Sequence, residues 1–284
     1  GEKFDAFINI YSEQDSKNQE QQQILTLEDK DVLANAGNDL NKAVVPSIVN
    51  TGYDANRVMY AMIDSLGYDS VFLVSTNPQV AVFQLRFSVV PPNIGDYNQG
   101  EFTANGRTFI WIAPDTTLNG EIIHRGSFAA IRKLVAPNSH QLISAGARFH
   151  PDKTLEISAE LAFSHFDPNT FSSIDNEENQ SGAGKVNAKK TIDLSNIKSG
   201  LAIAIFGSLE YVNKRFSPIE RFRTVEFTRN WNLKEVNDSV NQLGWEAGVS
   251  FYKTNLYRLG YAYRSFDEGN IYRGGKQIMN LMYS

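Results

Sequence analysis

Six segments in the second half of the chain alternate apolar and polar side chains with a period of two, and that pattern leaves few folds open. They are His140–His150, Thr154–Phe166, Gly200–Val212, Arg221–Trp231, Gly244–Tyr252 and Leu256–Phe266. In Thr154–Phe166, Leu155, Ile157, Ala159, Leu161 and Phe163 point one way, and Glu156, Ser158, Glu160, Ala162 and Ser164 the other. In Leu256–Phe266, Tyr257, Leu259, Tyr261 and Tyr263 oppose Arg258, Gly260, Ala262 and Arg264. A last strand is expected near Tyr272–Tyr283.

Short polar turns at His150–Lys153 and Lys253–Asn255 alternate with long polar loops at Asp167–Ser199 and Leu233–Gln242. Strands of about ten residues, two-sided in character and joined by alternating short and long connections, describe the wall of an outer-membrane-type β-barrel. They equally describe a soluble antiparallel sheet with one wet face. Both readings stand on the sequence. Six or seven strands fall below the minimum of ~8 in outer-membrane barrels, so as a barrel this region reads as part of a longer one.

The first half is built differently. Phe4–Tyr11 reads as a strand and Ser12–Gln23 as an exposed polar loop. Thr26, acidic residues after it and Gly37 mark the start and stop of a helix. A second helix is expected over Ala55–Leu66, with Asp54 as N-cap, Gly67 just beyond its end, and Val58, Met59, Met62 and Leu66 at helical spacing. Strands are expected at Val71–Ser75, Gln79–Val89 and Arg107–Ala113, with Ala81, Phe83, Leu85, Phe87 and Val89 sharing one face of the second. Pro91–Pro92, Gly95–Asp96 and Asn105–Gly106 mark turns. The chain is therefore expected to be mainly β. Residues 1–139 form a small α+β or β-sandwich domain, and residues 140–284 a run of antiparallel β-hairpins, either a partial outer-membrane-type barrel or an open sheet.

Composition narrows the function. A net charge of −5, with no basic block, disfavours nucleic acid as a partner. The absence of cysteine excludes disulfides, thiolate nucleophiles and cysteine-bound metals. No apolar run reaches the ~20 residues of a spanning helix.

Catalytic patterns are missing. The acidic loop Asp167–Gly182 offers Asp175, Glu177 and Asn179 as weak calcium ligands, but Phe171 and Ser172 break an EF-hand begun at Asp167. His124, His140, His150 and His165 lack metal-site spacing. Glu156 and Glu160 lie about 13 Å apart along one strand, too far for a glycosidase pair, although Glu210 or Glu246 on a neighbouring strand offers another partner. There is no G-x-S-x-G elbow, and Gly182–Lys185 is not a P-loop. Trp231, Trp245, Tyr257, Tyr261 and Tyr263 fit a membrane-interface girdle, a sugar-stacking platform or a packed sheet face. The expectation is a non-enzymatic protein with no catalytic residue and no cofactor.

Several stretches carry a resemblance: EQDSKN at Glu13–Asn18, NGRTFIWIAP at Asn105–Pro114, LVAPNSHQLIS at Leu134–Ser144, AELAFSHFDPNTFSSIDNEEN at Ala159–Asn179 and RFRTVEFTRNWNL at Arg221–Leu233. Together they resemble a large, poorly characterised family of Bacteroidota surface and outer-membrane proteins. The resemblance covers most of the chain and implies an internal portion of a longer exported protein, with envelope β domains followed by β-hairpins. It also implies an outer-membrane or cell-surface location, and nothing about mechanism. The expected role is a structural scaffold or part of an outer-membrane barrel assembly, with other envelope proteins or outer-membrane lipid as partners. The alternative is a soluble surface module that binds glycan, peptide or calcium. No functional residue is carried over.

Overall fold

The computed structural model describes residues 3–17, 23–65, 67–117, 119–197, 200–253 and 256–283. It is mainly β and antiparallel, and it divides into two compact units, residues 18–136 and residues 1–17 with 137–284. The sequence boundary at 139/140 differs from this division at the N-terminus. β1 (Phe4–Gln14) is paired along its whole length with a strand that begins at Ser139. Residues 18–136 are thus inserted between two neighbouring strands of one sheet. At the base of the insertion the Asp15 N–H donates to the Asn138 carbonyl at 2.9 Å, and the Asn138 N–H and side-chain amide donate to the Asp15 carboxylate at 3.0 and 2.9 Å.

Within residues 18–136, α1 (Leu27–Ala36) starts where the capping pattern placed it. The Thr26 hydroxyl accepts from the Asp29 N–H at 3.2 Å, and the Asp29 carboxylate accepts from the Thr26 N–H at 3.1 Å. Asp29 is buried and held by Arg132 at 2.8 Å. The rest is short strands: β2 (Val44–Pro46), β3 (Ile48–Asn50), β4 (Tyr60–Ser65), β5 (Tyr68–Val74), β6 (Phe83–Leu85) and β7 (Ser88–Val89). They are followed by β8 (Tyr97–Thr103), β9 (Gly106–Trp111), β10 (Asp115–Thr116), β11 (Ile122–Ile123), β12 (Phe128–Ala129) and β13 (Ile131–Lys133). Two four-stranded sheets, β3-β6-β4-β5 and β7-β12-β8-β9, form the framework. Their core is aromatic: Tyr60, Phe72, Leu85 and Tyr97 are buried, with Phe83, Phe87, Phe109 and Phe128 packed against them. The two buried phenols are satisfied by backbone, Tyr60 accepting from the Phe109 N–H at 3.1 Å and Tyr97 from the Phe72 N–H at 3.2 Å. Burial pushes the Tyr60 phenol up to about 12.

The expected helix over Ala55–Leu66 does not form. Asp54 starts a turn, its carboxylate accepting from the Asn56 N–H at 2.9 Å, and Tyr60–Ser65 is a strand paired with β5. Gly67, at φ +83°, serves the β4–β5 hairpin instead of a helix end. Leu66 lies outside the described residues. The apolar residues that mimic a helical stripe satisfy a sheet equally well, and cross-strand pairing decides. The expected strand Gln79–Val89 is also interrupted. A turn at Asn77–Ala81 precedes β6, and only Phe83–Leu85 and Ser88–Val89 are strand.

The second unit is one eight-stranded meander. β1 is followed in space by β14 (Ser139–Asp152), β15 (Leu155–Asp167), β16 (Gln180–Asp193), β17 (Leu201–Val212), β18 (Gln242–Lys253), β19 (Tyr257–Glu268) and β20 (Tyr272–Tyr283). Every neighbouring pair is antiparallel. The sheet is open, with β1 and β20 at its edges. Two expectations are corrected here. Asp167–Ser199 is not one long loop, because β16 runs through it. Arg221–Trp231 is not a strand, but an irregular segment ending in the one-turn helix α2 (Phe227–Asn230). Of the expected turn Lys253–Asn255, Thr254 and Asn255 lie outside the described residues.

Candidate functional site

The pairing register assigns every side chain of the long sheet to one of two faces. Phe149 opposes both Phe4 and Ile157, Leu161 opposes Ala145 and Gly184, and Ile205 opposes Lys190 and Val249. Followed across the sheet, this places Ile8, Ile143, Leu161, Leu209, Trp245, Tyr261 and Leu281 on one continuous face spanning the sheet. The expected grouping of Leu155, Ile157, Leu161, Phe163, Ile203 and Ile205 on a single side is found there. Charged residues on this face, Asp167, Lys190, Lys253, Asp267 and Arg273, sit near strand ends.

This apolar face is uncovered. Ile10 is 72%, Phe163 63% and Leu281 75% exposed. The opposite face behaves in reverse. The strand residues that are both apolar and buried in this sheet, Ala202, Ala204, Val212, Ala262 and Phe266, all project to the side that carries Glu210 and Arg264. The buried side is the polar one.

Cross-strand ion pairs organise that polar face. Lys185 meets its register partner Glu210 at 3.7 Å, and Arg264 meets its partner Glu246 at 2.8 Å. Arg148 lies 3.7 Å from Glu156, and the Asn187 amide donates to Ser158 at 3.1 Å. Glu156, Glu210 and Glu246 are therefore each engaged by a cation. None of them stands as a free carboxylate for acid–base work beside Glu160.

The connection between β17 and β18, residues 213–241, folds back over this polar face. The Ser217 N–H donates to Ser164 on β15 at 3.1 Å, and His140 on β14 donates to the Ser217 carbonyl at 3.0 Å. Farther across, Phe227 and Trp231 pack on Phe266 of β19 with ring centroids 5.0 and 5.6 Å apart. The Tyr272 hydroxyl of β20 donates to the Trp231 carbonyl, and the Lys276 ammonium lies 4.6 Å from the Trp231 ring centroid.

Arg223 is the centre of the fold-back. Its guanidinium lies 5.0, 4.5 and 5.0 Å from the ring centroids of Phe222, Phe227 and Phe266. It donates to Glu210 at 3.1 Å and to Gln242 at 2.5 Å. A charge so enclosed is tolerable because it is paired and hydrogen-bonded. Between the segment and the sheet lies a cavity of about 660 Å³, lined in part by Tyr11, Ser144, Glu160, Lys185, Glu210 and Phe222. The aromatic run Phe216, Phe222, Phe227, Trp231 within a polar stretch was the signal for this segment, although its local alternation mimics a strand.

The remaining candidates are scattered. Asp175, at φ 64°, precedes a 3₁₀ turn at Asn176–Asn179, and the Asn179 amide donates to Asn176 at 3.2 Å. Glu177 lies on that turn, while Glu178 pairs with Arg215 at 2.7 Å. Among the described residues no group of three or more His, Asp or Glu side chains is placed to hold a metal ion. His124 bonds Asp96 at 2.5 Å, and His150 lies 3.9 Å from Asp5. Trp245, Tyr257, Tyr261 and Tyr263 share the apolar face, whereas Trp231 lies in the folded-back segment.

No helix among the described residues is long and apolar enough to cross a membrane, which says nothing of strands. No protein-family model matches the chain, and no curated protein and no solved structure matches it either.

Proposed function

We propose that the eight-stranded sheet is the wall of a transmembrane β-barrel in a cell envelope, its apolar face against lipid. One observation carries the reading: large apolar side chains stand exposed on all eight strands of one face, while the strand residues that are both apolar and buried lie on the polar face behind them. In water an exposed face of this extent drives aggregation, whereas in a bilayer it is the expected outer band. β1 and β16 bring the strand number to eight, the minimum of outer-membrane barrels. An even number also leaves β1 and β20 antiparallel, as closure of the sheet on itself or on further strands requires.

The connections support an orientation. One end of the sheet carries the short turns after β14, β16 and β18. The other carries residues 168–179, residues 213–241, the points where the chain leaves for and returns from residues 18–136, and the short turn 269–271. Outer-membrane barrels keep short turns inside and long loops outside, so the inserted unit belongs at the cell surface. The role is non-enzymatic: a surface scaffold or barrel component whose lumen is narrowed by residues 213–241. This agrees with the resemblance to Bacteroidota outer-membrane and surface proteins.

The test uses tryptophan. The chain has three, Trp111 in the inserted unit, Trp231 in the folded-back segment and Trp245 on the apolar face. In vesicles of bromine-labelled phosphatidylcholine, Trp245 should be quenched, and Trp245→Phe should remove most of the quenchable emission. Unquenched Trp245 in a folded, vesicle-bound chain contradicts the reading.

A further inference from the structure

Residues 18–136 carry eight Lys and Arg against twelve Asp and Glu, so the unit is acidic. Three of its arginines nevertheless line one concavity of about 420 Å³: Arg57, Arg86 and Arg107, with Gln84 and Asn105 between them. No acidic side chain lines it. Arg57 is anchored, its Nε 3.1 Å from Asp54 and its Nη1 donating to Gln84 at 3.0 Å. Arg86 and Arg107 form no ion pair among the described residues, so two guanidinium forks face solvent uncompensated. The Arg107 guanidinium lies 5.6 Å from the Phe102 ring centroid, which orients it.

The concavity is built rather than accidental. Three separate segments supply it: the turn at Asp54–Val58, β6 with the residues after it, and the tip of the β8–β9 hairpin. The Asn105 amide locks the hairpin tip to the turn by donating to the Ala55 carbonyl at 2.8 Å. Beneath, Phe87 stacks on Phe109 with centroids 4.2 Å apart, and Phe109 is fixed through its N–H to the buried Tyr60 phenol. The volume lies within the usual range of small-molecule sites, roughly 300–1,000 Å³. Guanidinium forks match the geometry of carboxylate and phosphate oxygens.

We infer that this concavity binds a small ligand through its oxyanion, a sugar carboxylate or a phosphate, with Arg57, Arg86 and Arg107 as the recognition groups. The inference stands apart from the membrane reading, since it rests on residues 54–109 alone.

The test is calorimetric titration of the full chain, held in detergent, with two probes in low salt: D-glucuronate and inorganic pyrophosphate. Saturable binding of either supports the site, and the tighter one identifies the source of the oxyanion. Arg86→Gln and Arg107→Gln should each weaken binding about tenfold. Arg125→Gln is the control, because Arg125 lies elsewhere in the unit, 3.3 Å from Asp115. Its affinity should stay at the parent value. Unchanged melting temperatures in the three exposed-site variants would show that folding is intact. Absence of saturable binding by both probes overturns the inference, as does equal weakening by Arg125→Gln.

Discussion

The inserted unit and the long sheet are both antiparallel β, yet they dispose of their apolar side chains in opposite ways. Fourteen of the 21 apolar residues buried among the described ones lie in residues 18–136, the smaller unit. There Phe72 and Tyr97 pack inward around Tyr60, as a water-soluble core demands. In the long sheet the mid-strand aliphatic and aromatic residues face out, and ion pairs such as Arg264–Glu246 face in. One chain thus contains a unit with an inward apolar core and a sheet with an outward apolar face. The fold class is the same in both; in the proposed reading, the solvent on the apolar side is what differs.

The comparison breaks most visibly at matched aromatic truncations. Phe72→Ala should destabilise the inserted unit by about 3–5 kcal/mol, since Phe72 is 5% exposed in a packed core. Phe163→Ala, at a site 63% exposed, should cost about 1 kcal/mol or less for the chain in detergent. Urea unfolding of both variants decides this, and equal losses would mean that Phe163 is covered by protein.

A second contrast lies within β15. Leu161→Arg puts a charge on the apolar face and, if that face lies against lipid as proposed, should cost about 2–4 kcal/mol in vesicles. Glu160→Leu, one residue away on the polar face, should cost clearly less. Equal tolerance in folding titrations would remove the distinction between the faces.

Next in size is Arg223→Met. It leaves Glu210 without its closest cation and should release residues 213–241 at a cost of about 2–3 kcal/mol. Limited proteolysis should then cut within 213–241 faster than in the parent, with the sheet otherwise intact. Unchanged cleavage would show that the aromatic contacts alone hold the segment.

The smallest effect concerns acid. Burial pushes the Asp29 carboxyl up, but the hydrogen bonds from Arg132 and Thr26 outweigh it and leave the group below its ordinary value. Its folded value therefore lies below the unfolded ~3.9. The stability it contributes is fully present above that unfolded value and is lost as pH falls through the folded one. Asp29→Asn should cost residues 18–136, expressed alone, about 1–2 kcal/mol at pH 7, and progressively less as pH falls below the unfolded value. A penalty independent of pH would assign the effect to packing and not to charge.

Much of this was legible in residues. Leu155–Phe163 showed the faces of β15 because each alternate position carries a full side chain, and Thr26 with Asp29 wrote the start of α1 locally. β16 was hidden because Gly182 and Gly184 carry no side chain on the apolar face, where Phe163 and Leu161 lie over them instead. The membership of β1 was hidden because Phe4 and Phe149 are far apart in the sequence, and local pattern does not encode a partner that distant. Tyr60–Ser65 was misread because its apolar spacing fits two periods. The fold-back of residues 213–241 depends on Arg223 meeting Glu210 and Gln242 on the sheet, contacts that exist only once the sheet has formed.

The absence of cysteine makes the central claim directly measurable, because single cysteines can be introduced for spin labelling without removing any others. Labels placed one at a time from Glu156 to Ser164, in the chain reconstituted into vesicles, report collision with oxygen, which dissolves in lipid, and with a water-soluble nickel chelate. The expected result is a strict period of two: high oxygen and low nickel accessibility at 157, 159, 161 and 163, and low oxygen accessibility at the positions between. Nickel accessibility at the odd positions equal to or above their oxygen accessibility would place the apolar face in water and contradict the account.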